Sequence, residues 1–310
     1  MARSYSNSEL QSYKNCPLQW RFQWDLGLRK REDEASEHHL RFGNAIHKGL
    51  EQLYLGRNWE AVKDAFLKAY PVQLDANDKA KTAENGITAL AAYAKQYREQ
   101  DRKQWRVIAT ETRSDDPWSV KPDLIVENTE HGGLWLVDHK TTGRYLNYDY
   151  WEQFQPNSQI THYLDYATQT YGVIEGFIIN AISFRFRERA YKGEPAGFWH
   201  KFERQVFNRN ASQFQFERLS RADWIADLER SQSNGFWRTN TGACRFCSFK
   251  TLCAPGWTWE DDRELIEIQY RQICDALLTD DEHCYLDRDH DGEHSPFQPE
   301  SLPLELVIEV

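Results

Sequence analysis

The stretch Leu134-Trp135-Leu136-Val137-Asp138-His139-Lys140 decides how this chain is read. Four apolar residues followed by a charged triplet suit a strand that crosses a core and ends at its edge. Side chains alternate faces along a strand, so Asp138 and Lys140 project together while His139 points away. Earlier in the chain, Val120-Lys121-Pro122-Asp123-Leu124-Ile125-Val126 reads as the neighbouring strand, and His131-Gly132-Gly133 as the turn between the two. Two carboxylates and one ammonium can then meet at a single point. Phosphodiester hydrolysis uses such a set. Carboxylate oxygens hold Mg²⁺, the metal polarises the phosphate and acidifies a bound water, and the lysine orients that water or offsets developing charge. A second triplet of the same type, Asp101-Arg102-Lys103, falls in a charged helical run. Residues two apart on a helix do not share a face, so this one is expected on the surface.

Outward from the central strand, the pattern is helical before it and mixed after it. A helix starting at Ser6-Asn7-Ser8-Glu9-Leu10 should stop at Cys16-Pro17. Phe42, Ile46, Leu50 and Leu53 recur at helical spacing over about 37–55, and further helices are expected near 59–70 and 77–103. Strands are expected over 107–111, 119–127, 134–140, 174–182 and 183–187, with helices from Pro156-Asn157-Ser158 to Tyr171 and over about 211–231. An α/β core behind a helical N-terminal region follows from this order. The expected division is one domain over 1–259 (helical to about 103, catalytic core 104–235, cysteine cluster 244–253) and an acidic tail over 260–310.

The formal net charge of −10 is unevenly spread. Residues 260–310 hold 16 acidic and 3 basic side chains, a net of −13, which leaves +3 on the body. A mildly basic body permits DNA binding. Mean hydropathy is −0.79. No apolar run approaches the length of a membrane span, and the first residues have no apolar signal region, so no membrane partner and a cytoplasmic location are expected.

Three of the six cysteines, in Cys244-x2-Cys247-x5-Cys253, lie close together, and Cys16 is the candidate fourth. Four thiolates suit zinc or an iron–sulfur cluster, and their chemistry alone does not choose. A three-plus-one arrangement this far apart in sequence is unusual for zinc, which more often uses two close pairs. Buried, unligated cysteines are the bland alternative. Cys274 and Cys284 fall outside the pattern.

Further pieces accompany these. Gln159 and Tyr163 are i,i+4 neighbours on one helical face. Gly43-Asn44-Ala45-Ile46-His47 sets a histidine one turn after a glycine, whose missing side chain leaves room for close approach to His47. In order, Ser6-x-Ser8-x-Leu10-x-x-Tyr13-x-x-Cys16-Pro17, Gly43-x-x-x-His47, Pro122-Asp123, Asp138-x-Lys140, Gln159-x-x-x-Tyr163 and the cysteine group make a set. With it the chain resembles the RecB/AddB-like branch of the PD-(D/E)XK nucleases, which includes CRISPR-adaptation nucleases and phage recombination exonucleases. The resemblance implies a restriction-endonuclease-like core sheet flanked by helices. It implies His47, Asp123 and Asp138 as metal ligands, the His139 carbonyl as a further one, and Mg²⁺ or Mn²⁺ as the metal. It also implies Lys140 as the catalytic lysine, Gln159 and Tyr163 beside the phosphate, and Glu111 as an acidic residue on the preceding strand. A [4Fe–4S] cluster would sit on Cys16, Cys244, Cys247 and Cys253. Lys121 stands where the family usually has a glycine-containing approach to the aspartate.

The expected activity is a metal-dependent DNA exonuclease acting on ends, single-stranded ends among them, with recombination or replication proteins as partners. A non-catalytic iron–sulfur module that binds DNA or scaffolds a complex is the alternative, and a zinc-stapled protein without a nucleic-acid role is a third. Two weaker signals remain. Phe184-Arg185-Phe186-Arg187, followed by Arg189, Lys192, Lys201 and Arg204 among Tyr191, Phe198, Trp199 and Phe202, suits either a strand-tracking groove or a half-buried strand with a solvated basic face. The latter is preferred. Asp287-x-Asp289-x-Asp291-Gly292 mimics the start of a calcium loop, but Gln298 replaces the closing glutamate and Pro296 interrupts the exit.

Overall fold

The computed structural model describes residues 4–30, 34–72, 75, 78–111, 120–190, 193, 195–253, 266 and 268–272, with side chains in the third helix from His38 onward. The start of the expected strand at 119, Tyr191, Lys192, Cys274, Cys284 and the calcium-like run lie outside them. The chain divides into two compact units, residues 1–7 with 33–222 and residues 8–32 with 223–310. This division does not follow the boundary expected at 259.

The first unit is built on a five-stranded sheet of order β2-β3-β4-β5-β6, comprising Trp105–Thr110, Leu124–Asn128, Leu134–Thr142, Ile174–Arg187 and Gly197–Phe207. All neighbours are antiparallel except β4 and β5, which run parallel. It is thus an α/β fold with a mixed sheet flanked by helices. The parallel pair requires a crossover, supplied by helices α6 (Tyr148–Glu152) and α7 (Ser158–Tyr171). Asn157 caps α7, its Oδ1 accepting from the Ile160 amide at 3.1 Å, and Gly172 ends it at φ 95°, a conformation that favours glycine.

Each face of the sheet carries its own core. Ile160, Leu164 and Ala167 of α7 pack with Leu136, Phe177, Ile179 and Ala181 on one face. The other face, with Ile182 and Phe184, is covered by α3 (Glu34–Tyr54), α4 (Trp59–Ala69) and α5 (Ala83–Gln104). Phe42, Ile46 and Leu50, the residues at helical spacing, are all fully buried there. Gly43 makes this contact close. A Cβ on it would lie 3.0 Å from Thr141 Oγ1, so the glycine admits β4 rather than His47.

Two strand expectations change. Residues 174–187 form one continuous strand where two were expected, and β6 was not anticipated because its burial is only partial and its alternation mixes charge with aromatics. Helix α6 was missed for its brevity.

In the second unit, α1 (Asn7–Asn15) does not end the helical path. After Cys16, α2 (Pro17–Trp20) restarts with proline in its first turn, where the missing amide costs nothing, and continues as a π-helix through Asp25. Strand β1 (Leu28–Lys30) pairs antiparallel with β7 (Tyr270–Gln272). Phe22, Leu28, Phe249, Leu252, Ile266 and Tyr270 form its core. Ile266 and Tyr270 belong to the stretch read as tail, yet they are buried. The second half of α8 (Ala211–Asn234) joins this unit. There Asp227 accepts from the Tyr13 hydroxyl at 2.9 Å, and Trp20 stacks on Trp237 at 5.3 Å. No helix among the described residues is long and apolar enough to cross a membrane.

Candidate active site

Antiparallel pairing of β3 with β4 matches Leu124 to Val137, so one step further Asp123 and Asp138 face each other at the strand ends. Asp123 is held by its surroundings. The His139 amide donates to its Oδ2 at 2.6 Å, its own carbonyl accepts from the Glu111 amide at 3.0 Å, and His47 Nδ1 from α3 lies 3.3 Å from Oδ1. Glu111, just past β2, has φ 47°, a left-handed conformation that a non-glycine residue rarely adopts. This bend accompanies the entry of its carboxylate into the site. Ligand atoms of His47, Glu111 and Asp123 all lie within 4.8 Å of one another.

Asp138 does not join that trio within the same distance. It is 4% exposed, and its Oδ2 lies 2.8 Å from Lys140 Nζ. Apart from that contact, Oδ2 receives no hydrogen bond among the described residues. Lys140 also donates to Gln159 Oε1 at 3.2 Å, and Gln159 Nε2 reaches the Tyr163 hydroxyl at 3.5 Å. The strand-end lysine and the α7 pair therefore form one chain of contacts.

The charges are strongly coupled. Burial disfavours a charged His47, but Asp123, with Glu111 and Asp138 behind it, outweighs burial and raises its pKa to about 9. Burial likewise works against an ionised Asp123, and the His47 imidazolium overcomes it, holding this carboxyl well below the usual range. For Asp138 and Glu111, burial wins and both are pushed up, with Asp123 adding repulsion. Lys140 is raised despite burial, by Asp138 and Asp123. Three carboxylates crowd here, and a divalent cation that displaced the His47 proton would sit among them in its place. The residues thus suit a metal: a histidine nitrogen and carboxylate oxygens, the donor set that Mg²⁺ and Mn²⁺ take. His47, Glu111 and Asp123 could hold it, with Asp138 adjacent.

Sequence reasoning missed two features. Lys121 Nζ lies 2.7 Å from Glu111 Oε2, so the residue that departs from the family approach partly neutralises the third carboxylate. Its position two residues before Asp123, on the same face of an extended chain, was the available signal. Behind β4, the His139 ring is fully buried and its pKa is lowered to about 3 by burial. Its Nδ1 meets Asn180 Nδ2 at 2.7 Å, and its ring stacks on Tyr54 at 5.6 Å. Tyr54, Tyr93 and Asn180 gather around Arg204, whose guanidinium donates to both oxygens of Asp101 at 2.8 and 2.7 Å. Asp101 is 4% exposed, so the surface expected for this triplet is corrected. The partner that buries it stands 103 residues away, beyond the reach of local pattern.

In the second unit, Cys16, Cys244, Cys247 and Cys253 line one cavity of about 250 Å³, together with Asn240 and Lys250. The Asn240 amide points to Cys16 Sγ at 3.5 Å. Burial, and then the neighbouring sulfurs, push Cys253 up to about 11 and raise Cys247 as well. Cys247 and Cys253 therefore resist ionisation on their own, and a cation held by the four sulfurs would take the place of their protons.

A mixed sheet that gathers carboxylates, a histidine and a lysine at the ends of adjacent strands has the make-up of a hydrolase. The PD-(D/E)XK nuclease superfamily matches residues 4–254, most of the chain, and the chain belongs to it. A solved structure from Eubacterium rectale, described as a "Putative exonuclease", is similar over 80% of this chain and 87% of its own, at 10% identity and a TM-score of 0.43. A likeness that distant carries no argument. Comparison with curated proteins gives no match.

Proposed function

We propose that this nuclease is a Mg²⁺- or Mn²⁺-dependent DNA exonuclease of the RecB/AddB-like branch, carrying a [4Fe–4S] cluster. The observation that carries the catalytic reading is the convergence of His47, Glu111 and Asp123 ligand atoms within 4.8 Å, beside the Asp138–Lys140 pair. His47, Asp123 and Asp138 serve as metal ligands, with Glu111 and the His139 carbonyl completing the set. A bound metal supplies the Lewis acid and lowers the pKa of water. Lys140, held by Gln159, orients that water or offsets charge on the phosphate, and Tyr163 keeps Gln159 in place. Four cysteines around one cavity support the cluster. DNA is the substrate, and recombination or replication proteins in the cytoplasm are its partners.

Incubating the full chain with end-labelled linear and closed circular DNA, with and without Mg²⁺ or Mn²⁺, tests the activity. Loss of linear DNA alone, only with metal, is expected. Nicking of circles would replace the exonuclease by an endonuclease, and no cleavage under any metal would remove the catalytic reading. Anaerobically purified protein should be brown and contain iron, lost on Cys16→Ser as on Cys247→Ser. Colourless protein with stoichiometric zinc would remove the cluster.

A further inference from the structure

We propose that the α7 face of the sheet continues beyond Lys140 into a single-stranded DNA track, in which Tyr145 and Trp199 stack bases and Arg185 meets a phosphate. The inference deepens the nuclease reading and rests on it for the nature of the polymer. Strand register carries it. Lys140 lies opposite Ala181 on β5, and Ala181, Ser183, Arg185 and Arg187 share its face by alternation. Across β5, Arg185 pairs with Trp199 on β6. At about 3.3 Å per residue, Arg185 stands roughly 13 Å along β5 from the position beside Lys140.

What gathers there is interleaved, an exposed tyrosine among half-buried arginines and a half-buried tryptophan. Tyr145, just past the end of β4, is 49% exposed, and the Arg185 guanidinium carbon lies 3.2 Å from its ring centroid. Trp199 meets the same tyrosine edge-on at 6.3 Å, and Arg187 lies 5.6 Å over the Trp199 ring. Among the described residues, Arg185 has no carboxylate partner. A guanidinium laid on an aromatic ring keeps edge donors available for a phosphate, and aromatic faces accept any unpaired base. Stacking requires that the base be unpaired, so the pattern selects a single strand over a duplex.

The opposite face supplies an internal contrast. Phe186, one residue along the same strand, is 40% exposed with Lys79 over its ring at 5.6 Å, but Lys79 is already neutralised by Glu188 at 2.6 Å. Arg204, another arginine noted in the sequence, also lies on that face, sealed onto Asp101. Among the described residues, the α7 face thus sets Arg185 against an exposed tyrosine ring, while on the opposite face Lys79 and Arg204 are paired with carboxylates.

The test measures binding without chemistry, by anisotropy of a fluorescein-labelled oligothymidine with the full chain in EDTA. Tyr145→Ala and Trp199→Ala should each weaken binding by roughly fivefold or more, as removal of one stacking ring does. Tyr145→Trp should retain it. Arg185→Ala should reduce the slope of log Kd against log salt by about 0.7, the loss of one phosphate contact on a single strand. Phe186→Ala should change neither, and duplex binding should ignore Tyr145→Ala. Wild-type protein that does not bind the oligonucleotide, or folded Tyr145, Trp199 and Arg185 variants that bind as wild type does, would overturn the track. The two readings fail separately. Residue-dependent binding without any metal-dependent cleavage would leave the track and remove the nuclease, and cleavage with unchanged binding in these variants would do the reverse.

Discussion

Asp138-His139-Lys140 and Asp101-Arg102-Lys103 carry the same pattern, and both aspartates are 4% exposed. They differ in what compensates the buried charge. Arg204 closes on both oxygens of Asp101, and Tyr54 adds a hydroxyl at 2.8 Å, so both oxygens are already engaged by donors and a positive charge. Asp138 has one lysine on one oxygen and the Asp123 carboxylate nearby. A saturated carboxylate is structural; one left short of donors among like charges is where a dication gains most. The backbone sets the difference. On strand β4, residues 138 and 140 share a face, while on helix α5 Lys103 turns to solvent and leaves Asp101 to a distant arginine.

The sharpest way to break this contrast is to remove each aspartate. Asp138→Ala should abolish metal-dependent cleavage of end-labelled DNA, by on the order of 10³-fold, with the melting temperature kept or raised because a repelling charge has gone. Lys140→Ala should lose comparable activity while binding metal in calorimetry. Cleavage at the wild-type rate by Asp138→Ala would make the two triplets equivalent.

Asp101→Ala should act the other way, on stability. It leaves Arg204 buried and unpaired, which costs about 3–5 kcal/mol in denaturant unfolding. Replacing both by apolar residues, Asp101→Leu with Arg204→Met, should recover most of the loss. If Asp101→Ala melts like wild type, the ion pair is not structural.

His47 adds a pH dependence. Its pKa of about 9 means that it is protonated at neutral pH, whereas a metal needs the neutral imidazole. Mn²⁺ affinity should rise with pH by up to about tenfold per unit, levelling off above about 9. His47→Gln should flatten this profile, and a wild-type profile already flat between neutrality and pH 9 would separate His47 from the metal.

Glu111 stands between the two aspartates in character, since Lys121 neutralises it only partly. Lys121→Gln should tighten Mn²⁺ binding by a few-fold, an effect the size of one exposed ion pair. Weaker binding would give Lys121 a positioning role instead.

How much of this was legible in the sequence depends on the range of the interaction. The shared face of Asp138 and Lys140, the i,i+4 pair Gln159 and Tyr163 and the α3 stripe follow from periods of 2 and 3.6 residues, and the close cysteine trio from its ligand-like spacing, all of which the chain carries locally. Those periods determined the α/β class and the Asp138–Lys140 face, while the parts of His47, Glu111 and Asp123 came from the ordered family motifs. They could not determine that residues 174–187 run as one strand, that β6 closes the sheet, or that Tyr270 pairs back to Lys30, because pairing partners lie far apart in sequence. Nor could they show that Glu111 turns through a left-handed residue into the site, or that Asp101 is buried. A carboxylate's role depends on which donors reach it, and only the folded chain brings Arg204 to one aspartate while leaving the other short.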